Sequence, residues 1–144
     1  VSIIDIVIKK LVTELKEVFS EGNGRRENFI NLIEYFKGLL KTQPGMIKLL
    51  IDFMTQSMWV KSLKIHIYAL FRELNLMIQK YIIKESEEQK TFKNCPTIYV
   101  AEVVIFGVIG ISLHVILGER SVSELKSEIL ANMLFDEATP VGRI

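Results

Sequence analysis

The sequence predicts an all-α domain built from six helices. Apolar residues recur at three- and four-residue spacing along nearly the whole chain. No sustained period-two run and no Asn-Gly hairpin turn interrupts them, and the three prolines stand at 44, 96 and 140, where helices should begin or end. The connections left over are short enough for antiparallel neighbours in a bundle.

The first segment carries Ile4, Val7, Ile8, Leu11, Leu15, Val18 and Phe19 on one stripe. Its β-branched opening weakens helix propensity, but the spacing and the Lys/Glu opposite face favour helix, and Gly22-Asn23-Gly24 stops it. The second runs from about Arg25 to Lys41, with Phe29, Leu32, Ile33, Phe36, Leu39 and Leu40 on one face. Thr42-Gln43-Pro44-Gly45 breaks it, and Pro44 suits the first turn of a third segment bearing Ile47, Leu50, Phe53, Met54 and Met58. The fourth, roughly Val60 to Glu85, is long and regular, and Lys84 to Asn94 reads as a helix end plus loop. A fifth segment starts at Cys95-Pro96-Thr97 and ends at Gly118. Ser121-Val122-Ser123-Glu124 has the capping-box pattern and opens a sixth, through Leu125, Ile129, Met133 and Leu134, which Pro140 and Gly142 close.

The 144 residues suffice for one domain with a real core, so 1–144 is read as a single unit. With 49% apolar residues and a mean hydropathy of +0.30, the composition points to wide apolar surfaces closing on a partner subunit, a greasy ligand or lipid. A net charge of +1 argues against a dedicated nucleic-acid binder. One cysteine allows no internal disulfide, and two scattered histidines make no recognisable zinc site. No signal-peptide pattern opens the chain, and the start at Val1, already in an amphipathic pattern, reads as a fragment with something upstream left out.

The fifth segment holds the choice between membrane and partner. Its uninterrupted apolar core lies between Glu102 and His114, short of the roughly 20 residues a bilayer needs. A carboxylate and an imidazole would be costly in lipid, so no membrane span is expected. The alternative is a helix buried on nearly every side, which requires a partner surface. Val103, Gly107, Gly110, His114 and Leu117 share one face. Interior glycines cost about 1 kcal/mol each against alanine, and close approach of a second helix is the usual compensation. Together with Leu125, Ile129 and Met133 of the sixth segment, these residues are the expected interface of a homodimer, four helices at the join. The competing reading fits Gly107 and Gly110 against helices of the same chain.

The run Gln89-Lys90-Thr91-Phe92-Lys93-Asn94-Cys95-Pro96, then Ala101, Ile109-Gly110-Ile111 and Leu113-His114-Val115-Ile116-Leu117-Gly118, resembles the C-terminal domain of TetR-type transcriptional regulators. In that family a loop with a G-x-F pattern precedes a Pro-started helix, followed by a last amphipathic helix. The helix order agrees over essentially the whole chain. The loop glycine is replaced near Lys90-Thr91, and Ile109 stands where the family often has Asp. The resemblance implies a six-helix fold dimerising through its last two helices, in a cytoplasmic regulator, most often a repressor. It also implies a cavity for a small hydrophobic effector in each subunit. DNA is reached only through an N-terminal helix-turn-helix that this sequence lacks.

A sensor pocket is mostly apolar with a few orienting polar groups. Its expected residues are Phe36, Phe53, Met54, Trp59, Phe71, Met77 and Phe106, whose competing reading is plain core. Tyr68, Arg72 and Asn75 share one side of the fourth segment, as cavity lining or as its solvated face. Glu102 either pairs with Arg72 or sits favourably near a helix N-terminus. His66 and His114 are read as structural or interfacial, and Cys95 as a capping position rather than a redox switch. No phosphate loop, nucleophile elbow or HExxH pair suggests catalysis, and neither cofactor nor metal is expected. Two other classes compete with the regulator domain: a helical interaction or adaptor module without a cavity, and a small membrane-associated helical protein.

Overall fold

A computed structural model describes residues 2–118 and 120–135; Pro140 and Gly142 lie outside them. Over these residues the domain is all-α with six α-helices. Helix α1 spans Ile3–Ser20, α2 Arg25–Thr42, α3 Pro44–Gln56, α4 Lys61–Ile78, α5 Thr97–Ile116 and α6 Ser127–Phe135. Local chemistry sets most boundaries. The Ser2 hydroxyl accepts from the Asp5 N–H at the start of α1, Gly24 enters α2 at a φ of 119°, and Pro44 occupies the first turn of α3.

Helix α2 is the hub. It packs against α1, α3, α5 and α6, while α4 closes on α1, α3 and α5. The core between them is almost wholly aliphatic and aromatic, and Leu11, Leu15, Ile82 and Ile83 are its most enclosed side chains. Burial of each such side chain contributes about 1.5–3 kcal/mol, so the packed faces rather than helix propensity hold the bundle.

Three features depart from the sequence reading. Helix α4 continues as a single π turn, Gln79–Ile83, which buries the adjacent Ile82 and Ile83 together. Its carbonyls find partners outside the helix: Asn28 Nδ2 donates to the Tyr81 carbonyl at 2.9 Å, and Arg25 Nη1 to that of Ile83 at 3.1 Å. Second, the loop before α5 holds a small antiparallel ribbon, β1 Thr91–Phe92 with β2 Cys95–Pro96, where no strand was expected. Its two turn residues, Lys93 and Asn94, both have positive φ (51° and 64°), as a primed hairpin turn requires. A lysine in the first of these positions hides the signal that Asn-Gly would give.

Third, the capping-box residues Ser121 and Glu124 meet, with the Ser121 N–H 3.4 Å from the Glu124 carboxylate, but they open one 3₁₀ turn, Val122–Glu124. Helix α6 begins only at Ser127, and Leu125 in the gap is driven into the core at 2% exposure. Within this one chain α5 buries a single face. Ala101, Val104, Ile105, Val108 and Ser112 face the core, and the opposite face is open.

Candidate functional site: an apolar cavity and an exposed helix seam

The inward stripes of α1 to α5 do not fill the space between them. A cavity of about 60 Å³ remains, where a single water needs roughly 10–15 Å³ on the same measure. Helix α1 contributes Leu11, Leu15 and Phe19, and α2 contributes Leu32 and Phe36. From α3 come Ile47, Leu50, Ile51 and Met54; from α4, Leu70, Phe71, Leu74, Met77 and Ile78. Ile105, Val108, Ile109 and Ser112 of α5 complete the wall. Ser112 is the lone polar side chain among them, and its hydroxyl donates to the Val108 carbonyl at 2.8 Å. Among the described residues no ionisable side chain lines the space.

Of the residues expected to line a pocket, Phe36, Met54, Phe71 and Met77 stand on this wall. The rest stand elsewhere, each for a local reason. Trp59 falls in the turn between α3 and α4 and is 84% exposed; Phe53 is half-buried on α3 but off the wall. Tyr68, 78% exposed, and Arg72 lie on the outer face of α4. Asn75 is buried but fully engaged: Nδ2 donates to the Ile98 carbonyl at 3.1 Å, and Oδ1 accepts from Gln79 Nε2 at 2.6 Å. Gln79 Oε1 in turn accepts from the Thr97 hydroxyl at 2.9 Å, so this chain of polar groups ties the end of α4 to the first turn of α5. Phe106 sits outside the cavity but its ring meets Phe71. The wall residues of α1 were legible as a stripe, whereas those of α5 are hidden in a run that is apolar on nearly every side; the void between them leaves no trace in periodicity.

The second feature is the open face of α5. Tyr99, Val103, Phe106, Gly110, Leu113 and Leu117 follow one another at spacings of four, three, four, three and four, the repeat of a coiled-coil seam. Val103 and Leu117 are about 70% exposed and Phe106 55%. Gly107 and His114 flank this line, and Ile129 and Met133 are exposed on α6. A Cβ added at Gly107 or Gly110 would meet nothing within 4 Å, so neither glycine is there to fit a helix of the same chain. Leu125 does not join this surface, being buried beside Ile33, Lys37 and Leu40. Helix α6 packs chiefly on α2, through Phe29 against Phe135 and Arg26 donating to Asn132 at 2.7 Å, and Lys37 of α2 donates to the Leu125 carbonyl at 2.6 Å in the gap before α6.

The polar residues away from these features take structural positions. His66 Nδ1 lies 2.8 Å from Asp5 Oδ1, pinning α4 to the start of α1. Cys95 is exposed on the ribbon. Among the described residues no ion pair joins Glu102 to Arg72, and no group of three His, Cys, Asp or Glu side chains could hold a metal. Burial and the hydrogen bond to the Glu14 carboxylate at 2.6 Å push the Tyr35 phenol far above its ordinary range. Burial pulls Glu34 upward, but hydrogen bonds from Ser127 and Lys37 and the Lys37 charge outweigh it and hold the carboxyl below its usual value.

No protein-family model, no curated protein and no solved structure matches the chain.

Proposed function

We propose that this chain is the ligand-sensing and dimerising domain of a TetR-like transcriptional regulator, most simply a repressor. The observation that carries the reading is the cavity. Five helices converge on a space lined by apolar side chains, large enough for several water-sized volumes and offering water almost no hydrogen-bond partner. Well-packed cores leave few voids of this kind, since each forfeits dispersion contacts along its walls. A small hydrophobic effector entering it regains those contacts.

The open seam of α5, with the exposed Ile129 and Met133 of α6, supports the second half of the proposal, a homodimer joined through the last two helices. On this reading DNA contact belongs to a helix-turn-helix outside these residues, and the effector acts by binding one arrangement of the dimer better than another. The cytoplasm is the setting in which such a regulator works.

The test is thermal unfolding of the chain in the presence of neutral hydrophobic compounds, alongside sedimentation without detergent. A rise in Tm with a dimer at micromolar concentration supports the proposal. If no compound shifts the Tm, the sensor reading is lost and an interaction module without a ligand remains. A monomer at that concentration removes the seam as a homodimer interface.

One observation favours a second reading. Among the described residues α5 is the one helix long and apolar enough to cross a membrane, and only 22% of its most apolar window is buried. Against a span, the core-facing side of α5 closes on helices α2 and α4, whose outer faces carry Arg26, Lys41, Lys64 and Arg72. A protein recovered only in detergent would favour the membrane.

A further inference from the structure

We propose that the cavity accepts an uncharged hydrocarbon group of about benzene to hexyl size and rejects ionised head groups; this rests on the ligand-sensing reading and narrows it to a ligand class. The first argument is the wall. A binding site that orients a charged ligand places donors or a counter-charge within reach. Here Ser112 is the one polar side chain, and its proton is already given to the Val108 carbonyl. What remains at Ser112 is a pair of oxygen lone pairs, which repel a carboxylate and are too little to replace the hydration of an ammonium ion. A neutral hydroxyl could donate to them, so an alcohol is tolerated where its acid is not.

The second argument is size. About 60 Å³ divided by the roughly 10–15 Å³ that one water requires gives roughly four to six heavy-atom volumes. A monocyclic aromatic ring or a short alkyl chain fills that space, and a larger ligand would place only its apolar end there. The third argument is the character of the side chains facing the space. Leu15, Leu50 and Met77 are aliphatic or thioether groups, and Phe36 and Phe71 supply two aromatic rings. Such a lining gains dispersion contact when an apolar group enters.

Toluene, benzoate and benzylammonium share a ring and differ in one substituent, and benzyl alcohol, neutral and isosteric with benzylammonium, separates charge from size. Calorimetry and methyl NMR on the whole chain should show toluene binding, with shifts concentrated at Leu15, Leu50 and Met77. Benzoate and benzylammonium should bind roughly a hundredfold more weakly or worse, since removing an ion from water without a partner costs several factors of ten. Along the normal alcohols from propanol to hexanol, affinity should rise about fourfold per methylene. Leu74→Phe and Ile109→Phe, substitutions at half-buried wall positions on different helices, should each abolish toluene binding in whichever variant folds.

Benzoate or benzylammonium binding as tightly as toluene, with shifts at the same methyls, would overturn the ligand class and leave the sensor reading standing. Toluene shifts located away from the wall, or toluene binding unchanged in a folded filling variant, would overturn the assignment of the site. Binding of none of the ring compounds and none of the alcohols would overturn this inference and the sensor reading together.

Discussion

Phe71 and Phe106 meet edge to face, with ring centroids 5.9 Å apart and planes inclined at 74°. Phe71 is on the cavity wall, and Phe106 stands on the exposed seam of α5. A single ring–ring contact therefore joins the inside of the domain to the surface proposed for the second subunit. Whatever fills the cavity presses on one ring of this pair, and whatever covers the seam presses on the other.

Phe106→Ala tests the outer half of that contact. More than half exposed, Phe106 has little burial to lose, so the isolated domain should be destabilised by about 1 kcal/mol, the lower end for an aromatic pair plus partial burial. Dissociation of the proposed homodimer, followed by sedimentation, should become at least roughly tenfold easier, as expected for an aromatic anchor at an interface centre. An unchanged dimer constant would remove Phe106 from the interface.

Gly107→Ala and Gly110→Ala should move stability and assembly in opposite directions. Neither new methyl meets an atom of the same chain, so each variant should gain up to about 1 kcal/mol of helix stability, read as a higher unfolding midpoint at dilute, monomeric concentration. In the proposed homodimer, the added methyl at Gly110 should hold the two helices apart and weaken association. Gly110→Ala strengthening the dimer would show that the helices do not approach closely there.

At Gly22 the constraint is internal. A Cβ there would overlap the amide oxygen of Asn28, whose Nδ2 holds the Tyr81 carbonyl. Gly22→Ala must displace that amide and should cost roughly 1–3 kcal/mol in chemical denaturation, the range for leaving a buried polar group unpaired. In an Asn28→Ala background the same glycine change should cost much less, and additive effects would refute the proposed clash.

Tyr35 predicts an alkaline signature. Its folded-state pKa is raised, so its contribution is fully present below the ordinary tyrosine value near 10 and is lost as pH rises beyond it, because the unfolded phenol ionises first. Tyr35→Phe should cost about 1 kcal/mol at neutral pH through the lost bond to Glu14. Its stability should then fall less than that of the parent between pH 9 and pH 11, measured by urea unfolding. Parallel pH profiles would mean that Tyr35 ionises as freely in the folded chain as in the unfolded one.

Most of the fold was written in period and punctuation. The stripes of α1 to α4, the stop at Gly22–Gly24 and the start at Pro44 follow from local rules that each residue obeys on its own. The ribbon and the π turn were not legible, because Lys93 and Asn94 are held at positive φ by the pairing around them, and the π turn is satisfied by Asn28 and Arg25, more than fifty residues away. Phe36, Met54, Phe71 and Met77 reach the cavity because they belong to inward stripes; Trp59 does not, because a residue in a turn has no stripe to follow. Whether stripes meet or leave a gap depends on how five helices settle together, which no single segment encodes.

The π turn at Gln79–Ile83 amounts to one residue more than an α-helix would use over that stretch. It acts as slack at the end of α4. Upstream of it, α4 presents Phe71, Leu74 and Met77 to the cavity; within it, Ile82 and Ile83 plug the core side by side. Deleting one residue between 79 and 83 would let the helix close as regular α-helix without turning α4 itself, but would shorten the chain that leads to Lys84, which is already extended. A change that improves the local hydrogen bonding would therefore pull on the connection from Ile83 to the ribbon, and through it on the start of α5.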